Sequence, residues 1–210
     1  MARKICIIQT GTASSAELMA LCAELMPDVA AYQIIDDSLL KEILDSGGPT
    51  PSVCRRMYAY CLQAQEMGAD AILHHCVAAA GLAELVQPFL DIPIVRIDEG
   101  MAREAVRAGG RIAVFATSAL ALEHSAGLIL RVAEAETRAV GVSVHLLQDA
   151  RNTVRAAAEA ACRDSDVLVL AQPSMTALLP LLEGVGKPVL SCTRSGIEFL
   201  KARLGEAGTA

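Results

Sequence analysis

Eight short apolar runs alternate along the chain with longer segments rich in Ala, Leu and Glu. The runs are continuously apolar, which is typical of strands in a parallel sheet covered by helices on both faces. The sequence therefore predicts an α/β fold. The expected strands are Lys4–Thr10, Ala30–Ile35, Ala71–Cys76, Ile92–Ile97, Ile112–Thr117, Val142–Leu147, Val167–Gln172 and Pro188–Cys192. The expected helices include Ser14–Leu25, Val53–Met67, Leu120–Glu134 and Thr153–Arg163.

The order of these runs repeats. KICIIQT at 4–10 resembles RIAVFAT at 111–117, ADAILHHC resembles SDVLVLAQ, and IPIVRI resembles KPVLSC. The separation of matched positions falls from 107 to 96 residues, so the first half holds extra residues, which we assign to a loop at DSGGPTPS, 45–52. The repeat predicts two pseudo-symmetric lobes, residues 1–98 and 99–193, each with a parallel four-stranded sheet. A C-terminal helix near 194–208 is a candidate to pack on the first lobe.

Composition excludes several classes of function. The 18 basic and 24 acidic residues give a net charge of −6, and the chain has no Trp, so we expect no nucleic-acid partner. The apolar runs are too short for a membrane span or a signal-peptide core, which favours the cytoplasm. The seven cysteines are odd in number and form no CxxC pair, which indicates free thiols and no metal site.

Polar or small residues follow four of the apolar runs. They form the segments 9–12, 75–77, 116–118 and 172–174. Open parallel sheets bind ligands beyond the carboxyl ends of their strands, so two facing lobes would bring these segments to one interlobe cleft. Hydroxyls and helix N-terminal amides there suit a small carboxylate. Thr12, Ser118 and Ser174 are equally typical of simple helix caps.

Cys76 is the candidate reactive thiol. It ends a predicted strand before small residues that begin a helix, and a helix N-terminus lowers the pKa of a thiol. The alternative is a buried apolar residue. Cys192 also ends a strand and is a reserve candidate. Of His74 and His75, we expect one to be a hydrogen-bonded core residue and the other to line the cleft, with His75 as a further reserve candidate.

At these segments the chain resembles the aspartate/glutamate/hydantoin racemase superfamily. The resemblance covers nearly the whole length, through IIQTGTAS, GADAILHHCVAAAG, GGRIAVFATSALALEHSAGLI, SDVLVLAQPSMTALLPLL and KPVLSC. It implies two pseudo-symmetric α/β lobes with one catalytic cysteine from each, no cofactor, a small carboxylate substrate and a homodimer. Cys76 takes the place of the first cysteine. The substrate-binding positions implied are Gln9, Thr10, Thr12, Val77, Ala78, Thr117, Ser118, Pro173 and Ser174, with Thr117 as a carboxylate ligand and backbone amides serving at Val77 and Ala78.

Gln172 occupies the position of the second cysteine. A carboxamide does not titrate and cannot exchange a proton. Three functions remain open. In the first, the protein is an isomerase that acts at the carbon alpha to a carboxylate of a small amino acid or related acid. Another group, Cys192 or a histidine, then supplies the second proton. Alternatively, Cys76 protonates an enediolate after a malonate-type acid loses carbon dioxide, as in single-cysteine decarboxylases. In the third, the protein binds a carboxylate without converting it. Gln172 itself either donates to an enolate oxygen or satisfies loop backbone. We expect an isomerase.

Overall fold

The computed structural model of the chain describes residues 3–12 and 14–207. The chain divides into two units, one containing the described residues up to Ile97 and from Gly196 onward, the other Asp98–Ser195. Each unit has one sheet of four parallel strands. Helices flank both sheets, which confirms the predicted α/β class.

The first unit contains the sheet β2-β1-β3-β4. Its elements are β1 (Arg3–Gln9), α1 (Ser15–Leu25), β2 (Val29–Ile35), α2 (Ser38–Ser46), α3 (Pro51–Glu66), β3 (Ala71–His74), a 3-10 turn (Val77–Ala79), α4 (Gly81–Val86), a second 3-10 turn (Gln87–Phe89) and β4 (Ile94–Arg96). The central strands are buried on both faces, as their continuous apolar sequence predicts: no side chain of Ile5–Ile8 is more than 1% exposed.

The second unit contains the sheet β6-β5-β7-β8, the same order as in the first unit. Its elements are α5 (Glu99–Ala108), β5 (Arg111–Ala116), α6 (Ala119–Ala135), β6 (Gly141–Leu146), α7 (Ala150–Ala161), β7 (Val167–Leu170), a 3-10 segment (Pro173–Leu182) and β8 (Val189–Ser191). Helix α8 (Cys192–Ala207) begins in this unit and continues into the first.

The extra residues of the first half are not the loop expected at 45–52. Much of the insertion is helix α2, which ends at Ser46, and α3 already begins at Pro51. The segment is helical because its apolar residues recur at helical spacing, with Leu39 and Ile43 buried. Gly47, at φ 70°, ends α2 in the left-handed conformation that favours glycine. Only residues 47–50 connect the two helices.

Candidate active site

The carboxyl ends of β1 and β3 lie side by side in the first unit. Ile8 and His74 are register partners, and the His75 N–H donates to the Ile8 carbonyl at 3.0 Å. Gln9 at the end of β1 and Cys76 just after β3 therefore follow neighbouring strands of one sheet. The strand predicted to reach Cys76 ends at His74, so the thiol lies two residues beyond it.

Cys76 is 7% exposed, and the chain turns immediately after it. The 3-10 turn Val77–Ala79 and the six-residue helix α4 follow. This corrects the expectation that a regular helix begins directly after the thiol, because the tight turn separates Cys76 from the start of α4. Val77 and Ala78 are both buried, so any contact they make with a ligand is confined to small apolar surface and backbone.

Two polar atoms at this carboxyl edge of the sheet are buried without a hydrogen-bond partner in the described structure. Gln9 donates from Nε2 to Ser15 Oγ at 3.2 Å, but its Oε1 has no donor. The Nε2 of His75 has no partner either. Burial lowers the pKa of His75 to about 4, so its imidazole is neutral at pH 7. An unsatisfied buried polar atom costs about 1–3 kcal/mol, so such atoms are rare, and a functional role is one of the explanations for them.

The remaining predicted positions of the first unit differ in exposure. Thr10 is buried at the end of β1, whereas Thr12 is exposed and precedes α1. The position at the N-cap of α1 is Ser14, which forms no side-chain cap hydrogen bond. Thr12 instead accepts at its carbonyl from the Ser15 N–H at 3.1 Å. The capping role considered for the Thr12 side chain therefore has no support in the structure.

In the second unit, Gln172 and Thr117 follow the adjacent strands β7 and β5 and contact each other. Gln172 Oε1 accepts from the Thr117 N–H at 2.6 Å and from its hydroxyl at 3.0 Å. A substrate carboxylate that used these two donors would have to displace the carboxamide. Ser118 precedes α6 without a side-chain cap hydrogen bond, Pro173 is half-buried, and Ser174 is exposed.

The reserve candidate Cys192 is fully buried at the start of α8. Burial, together with the nearby charge of Asp98, raises the pKa of its thiol. Asp98 accepts a hydrogen bond from Ser125 Oγ at 3.1 Å. This environment disfavours a thiolate at Cys192, so its chemistry suits a packed apolar residue better than a proton carrier.

A polar cluster at the end of β2 was not predicted. Asp36 accepts from Arg56 at 2.9 Å, from the Tyr60 hydroxyl at 2.8 Å and from the Ser38 hydroxyl at 2.6 Å. Burial would raise the pKa of Asp36, but the hydrogen bonds from Ser38 and Tyr60 and the charge of Arg56 outweigh it and lower the pKa. The Asp36 N–H also donates to the Gln9 carbonyl at 3.0 Å, which joins the cluster to the end of β1. The acidic pair after an apolar run, IIDD, is the sequence signal for this site.

The family model for the Asp/Glu/Hydantoin racemases matches residues 5–200, nearly the whole chain. The chain belongs to this family. The expectation of a racemase-like enzyme is thus confirmed at the level of the family. No curated protein matches the sequence of this family member.

Solved racemases share the fold of this member of the Asp/Glu/Hydantoin racemase family. It is similar to a glutamate racemase from Bacillus anthracis, with TM-score 0.75 and 16% identity, over 98% of this chain and 83% of that one. It is also similar to the aspartate racemase of Picrophilus torridus, with TM-score 0.73 and 13% identity, over 97% of this chain and 94% of that one. With an allantoin racemase from Klebsiella pneumoniae the TM-score is 0.69 and the identity 17%, over 98% of this chain and 89% of that one. At these identities the structures show a common fold.

Residues 3–12 and 14–207 of this family member contain neither a candidate membrane-spanning helix nor a candidate metal-binding cluster. None of the helices there combines the length and apolar character needed to cross a membrane. No group of three or more His, Cys, Asp or Glu side chains in that part of the chain is arranged to hold a metal ion.

Proposed function

We propose that the protein is a cofactor-independent isomerase in which Cys76 transfers a proton at the carbon alpha to the carboxylate of a small amino acid or related acid. The observation that carries the proposal is the place of Cys76 two residues beyond β3, at the carboxyl edge of the first unit's sheet, where Gln9 Oε1 and His75 Nε2 are buried with unfilled hydrogen-bonding capacity. Membership of the racemase family supports the same reaction class.

The unfilled atoms indicate the kind of group that a substrate presents. Gln9 Oε1 is an acceptor, and the neutral imidazole of His75 has one ring nitrogen that can accept. An ammonium or amide N–H next to the reacting carbon would satisfy Gln9 Oε1. This favours an amino acid or an N-substituted derivative over a carboxylic acid that lacks nitrogen.

In the proposed reaction the Cys76 thiolate removes the alpha proton, and the electron pair of the C–H bond moves into the carboxylate to form an enediolate. Gln172 donates from Nε2 to an enediolate oxygen, a contribution of a few kcal/mol where such a donor is preorganised. Return of a proton to the alpha carbon regenerates the carboxylate. Because Gln172 does not titrate, a proton delivered to the opposite face comes from another group. The reserve candidate His75 is neutral at pH 7 and carries no imidazolium proton for this step.

Exchange in heavy water tests the proposal. Enantiopure amino acids and their N-carbamoyl and N-acyl derivatives are incubated with the protein, and loss of the alpha proton is followed by NMR together with optical rotation. We expect deuterium to enter the alpha position with loss of optical activity, Cys76→Ser to abolish the exchange, and Cys192→Ala to retain it. Activity that survives in Cys76→Ser and disappears in Cys192→Ala would transfer the role to Cys192.

Decarboxylation is the second candidate, and it is favoured because Gln172, at the position that the resemblance assigns to the second cysteine, does not titrate. Loss of carbon dioxide from a malonate-type acid leaves an enediolate that needs only one proton, which Cys76 would supply. Release of carbon dioxide from substituted malonates without alpha exchange of amino acids would identify this reaction. Calorimetric binding of a carboxylate with neither reaction would instead indicate a binding protein.

A further inference from the structure

Helix α2 has no counterpart in the second unit. There β6 ends at Leu146 and α7 begins at Ala150, so only residues 147–149 connect them. In the first unit residues 36–50 separate β2 from α3, and α2 forms most of this segment. A helix of nine residues is too short to be stable alone in water, so α2 depends on contacts with its neighbours. These contacts identify what the inserted helix holds in place.

Helix α2 packs mainly against α3 and the 3-10 turn Val77–Ala79, which directly follows Cys76. Its inner face carries Leu39 and Ile43, which lie one helical turn apart and are 0% exposed. The residues of the turn are buried as well. Because the turn follows the thiol in the chain without a gap, the packing of α2 on the turn also constrains the position of Cys76.

The side chain of Arg56, on α3, fastens α2 in this position. Its Nη1 donates to Asp36 Oδ2 at 2.9 Å and to Ser38 Oγ at 2.8 Å. Its Nη2 donates to Glu42 Oε2 at 2.5 Å. Ser38 and Glu42 lie one turn apart, on the face of α2 beside the buried one. We call these four residues the Arg56 clamp, which joins α3 to the end of β2 and to α2.

The Arg56 clamp is shielded from solvent more than an ordinary surface ion pair. The side chains of Arg56, Asp36 and Glu42 are 31%, 15% and 34% exposed. Those of Lys41 and Asp45, an ion pair within α2, are 79% and 65% exposed. Partly buried charges are screened less by salt, and hydrogen bonds between charged groups are stronger than neutral ones. The clamp therefore restrains α2 more firmly than the exposed pair does.

We propose, on the basis of the proposed role of Cys76 in proton transfer, that Arg56 is a positioning residue. Through the clamp it holds α2 on the turn Val77–Ala79 and thereby fixes the thiol of Cys76. A displacement of a reacting group by about 1 Å can lower a rate by about 100-fold, so the reaction depends on this placement. A clamp that only stabilised the first unit would affect all of its buried thiols alike, whereas the positioning role predicts a change at Cys76.

Alkylation of the folded protein tests this role without a substrate. The protein is treated with iodoacetamide, and the rate at each cysteine is followed by peptide mass spectrometry. In Arg56→Met we expect alkylation of Cys76 to be faster by about tenfold or more, because a hydrogen bond between charged groups contributes about that factor to local opening. Cys6 and Cys22, buried on β1 and α1, should react as slowly as in the natural protein. An unchanged rate at Cys76, or an equal acceleration at all three thiols, overturns the proposal.

Glu42→Ala breaks the clamp from the side of α2 and tests the proposal even if Arg56→Met fails to fold. Alanine preserves the helix propensity of α2. The two substitutions change the local charge in opposite directions, and a thiol reacts as its thiolate, so a purely electrostatic effect on Cys76 would speed one variant and slow the other. The positioning role predicts faster alkylation in both. Opposite changes, or an unchanged rate in a folded Glu42→Ala variant, contradict it.

Two matched controls leave the clamp intact. Arg55→Met removes the exposed arginine that precedes Arg56 on α3, and Asp45→Ala removes an exposed acid of α2. Both variants should alkylate at Cys76 at a rate close to that of the natural protein, because exposed ion pairs contribute little. An acceleration in either control as large as that in Arg56→Met overturns the proposal.

The kinetics of alpha exchange separate positioning from folding. At a temperature where every variant is folded by circular dichroism, we expect Arg56→Met to lower kcat by about tenfold or more, with less change in KM. Arg56→Lys, which keeps the positive charge but forms fewer hydrogen bonds, should recover part of the loss. Unchanged kcat in Arg56→Met contradicts the positioning role. If the natural protein shows no exchange, the proposed function fails, and the alkylation rates alone decide the role of the clamp.

Discussion

Gln172 accepts two hydrogen bonds from one residue, Thr117, through the backbone N–H at 2.6 Å and the hydroxyl at 3.0 Å. Both bonds go to Oε1, so they leave Nε2 of the carboxamide as a donor. The carboxamide at the position that the resemblance assigns to the second cysteine is therefore held at its oxygen by the backbone N–H and the hydroxyl of Thr117. The two roles considered for Gln172, satisfying the backbone and donating to a ligand, use different atoms and are compatible.

Gln172→Glu separates these two roles. A carboxylate can still accept from Thr117, so we expect a midpoint of thermal unfolding close to that of the natural protein. The variant lacks the Nε2 donor, and loss of one such donor lowers the rate of alpha exchange by about 100-fold to 1,000-fold. Gln172→Ala is the control that loses both interactions. Unchanged exchange in Gln172→Glu would exclude the donor role.

His75 makes the stability of the protein sensitive to mild acid. Its pKa is about 4 in the folded protein, against 6.5 for an unperturbed histidine, so the unfolded chain binds more protons between these values. The contribution is fully present above pH 6.5 and is lost as the pH falls towards 4. It amounts to about 3 kcal/mol in the free energy of unfolding. Urea unfolding at pH 7, 6, 5 and 4 measures it.

His75→Gln should flatten this pH dependence relative to the natural protein. His145→Gln is the matched control: the pKa of His145 is also lowered by burial, but its ring is partly exposed and the effect should be smaller. Parallel stability curves for the natural protein and His75→Gln would show that the imidazole is not buried as a neutral group.

The strands were predictable because each central strand is buried on both faces and its sequence is apolar without alternation. The repeat KICIIQT and RIAVFAT fixed the equivalence of β1 and β5 for the same reason. Helix α2 was missed because turn-forming residues directly follow its short apolar pattern. The pattern of Leu39 and Ile43 marks one face of a helix, but Gly47 and Pro49 favoured the assignment of the extra residues to a loop at 45–52.

The candidate site was predictable only as a set of strand ends. Positions such as Cys76 and Gln172 follow from where apolar runs stop. The bond between Thr117 and Gln172 joins residues far apart in sequence, and the pairing of Asp36 with Arg56 and Tyr60 depends on how α3 packs beside β2. Such contacts are set by tertiary structure, and no local pattern in one sequence specifies them.

Asp36→Asn tests the cluster at the end of β2. The charged acceptor is partly buried, so its loss should lower the free energy of unfolding at pH 7 by about 1–3 kcal/mol. Because the folded pKa is lowered, the contribution is present above the unfolded pKa and disappears as the pH falls through the folded one. Asp45→Asn, which removes an exposed ion pair with Lys41, should change stability by about 0.5 kcal/mol or less. Equal effects of the two substitutions in urea unfolding would contradict the assignment.

Gly196 and Gly205 lie on the same helix, α8, and should respond oppositely to alanine. A Cβ at Gly196 would collide with the carbonyl oxygen of Ile97, and because that oxygen belongs to the backbone, α8 or the Ile97 segment must shift. We expect Gly196→Ala to lower the free energy of unfolding by about 3 kcal/mol. At Gly205 nothing lies within 4 Å of the added Cβ, and alanine favours the helix by up to about 1 kcal/mol. Urea unfolding of both variants measures the contrast. A Gly196→Ala variant as stable as Gly205→Ala would show that α8 does not approach Ile97 as closely as described.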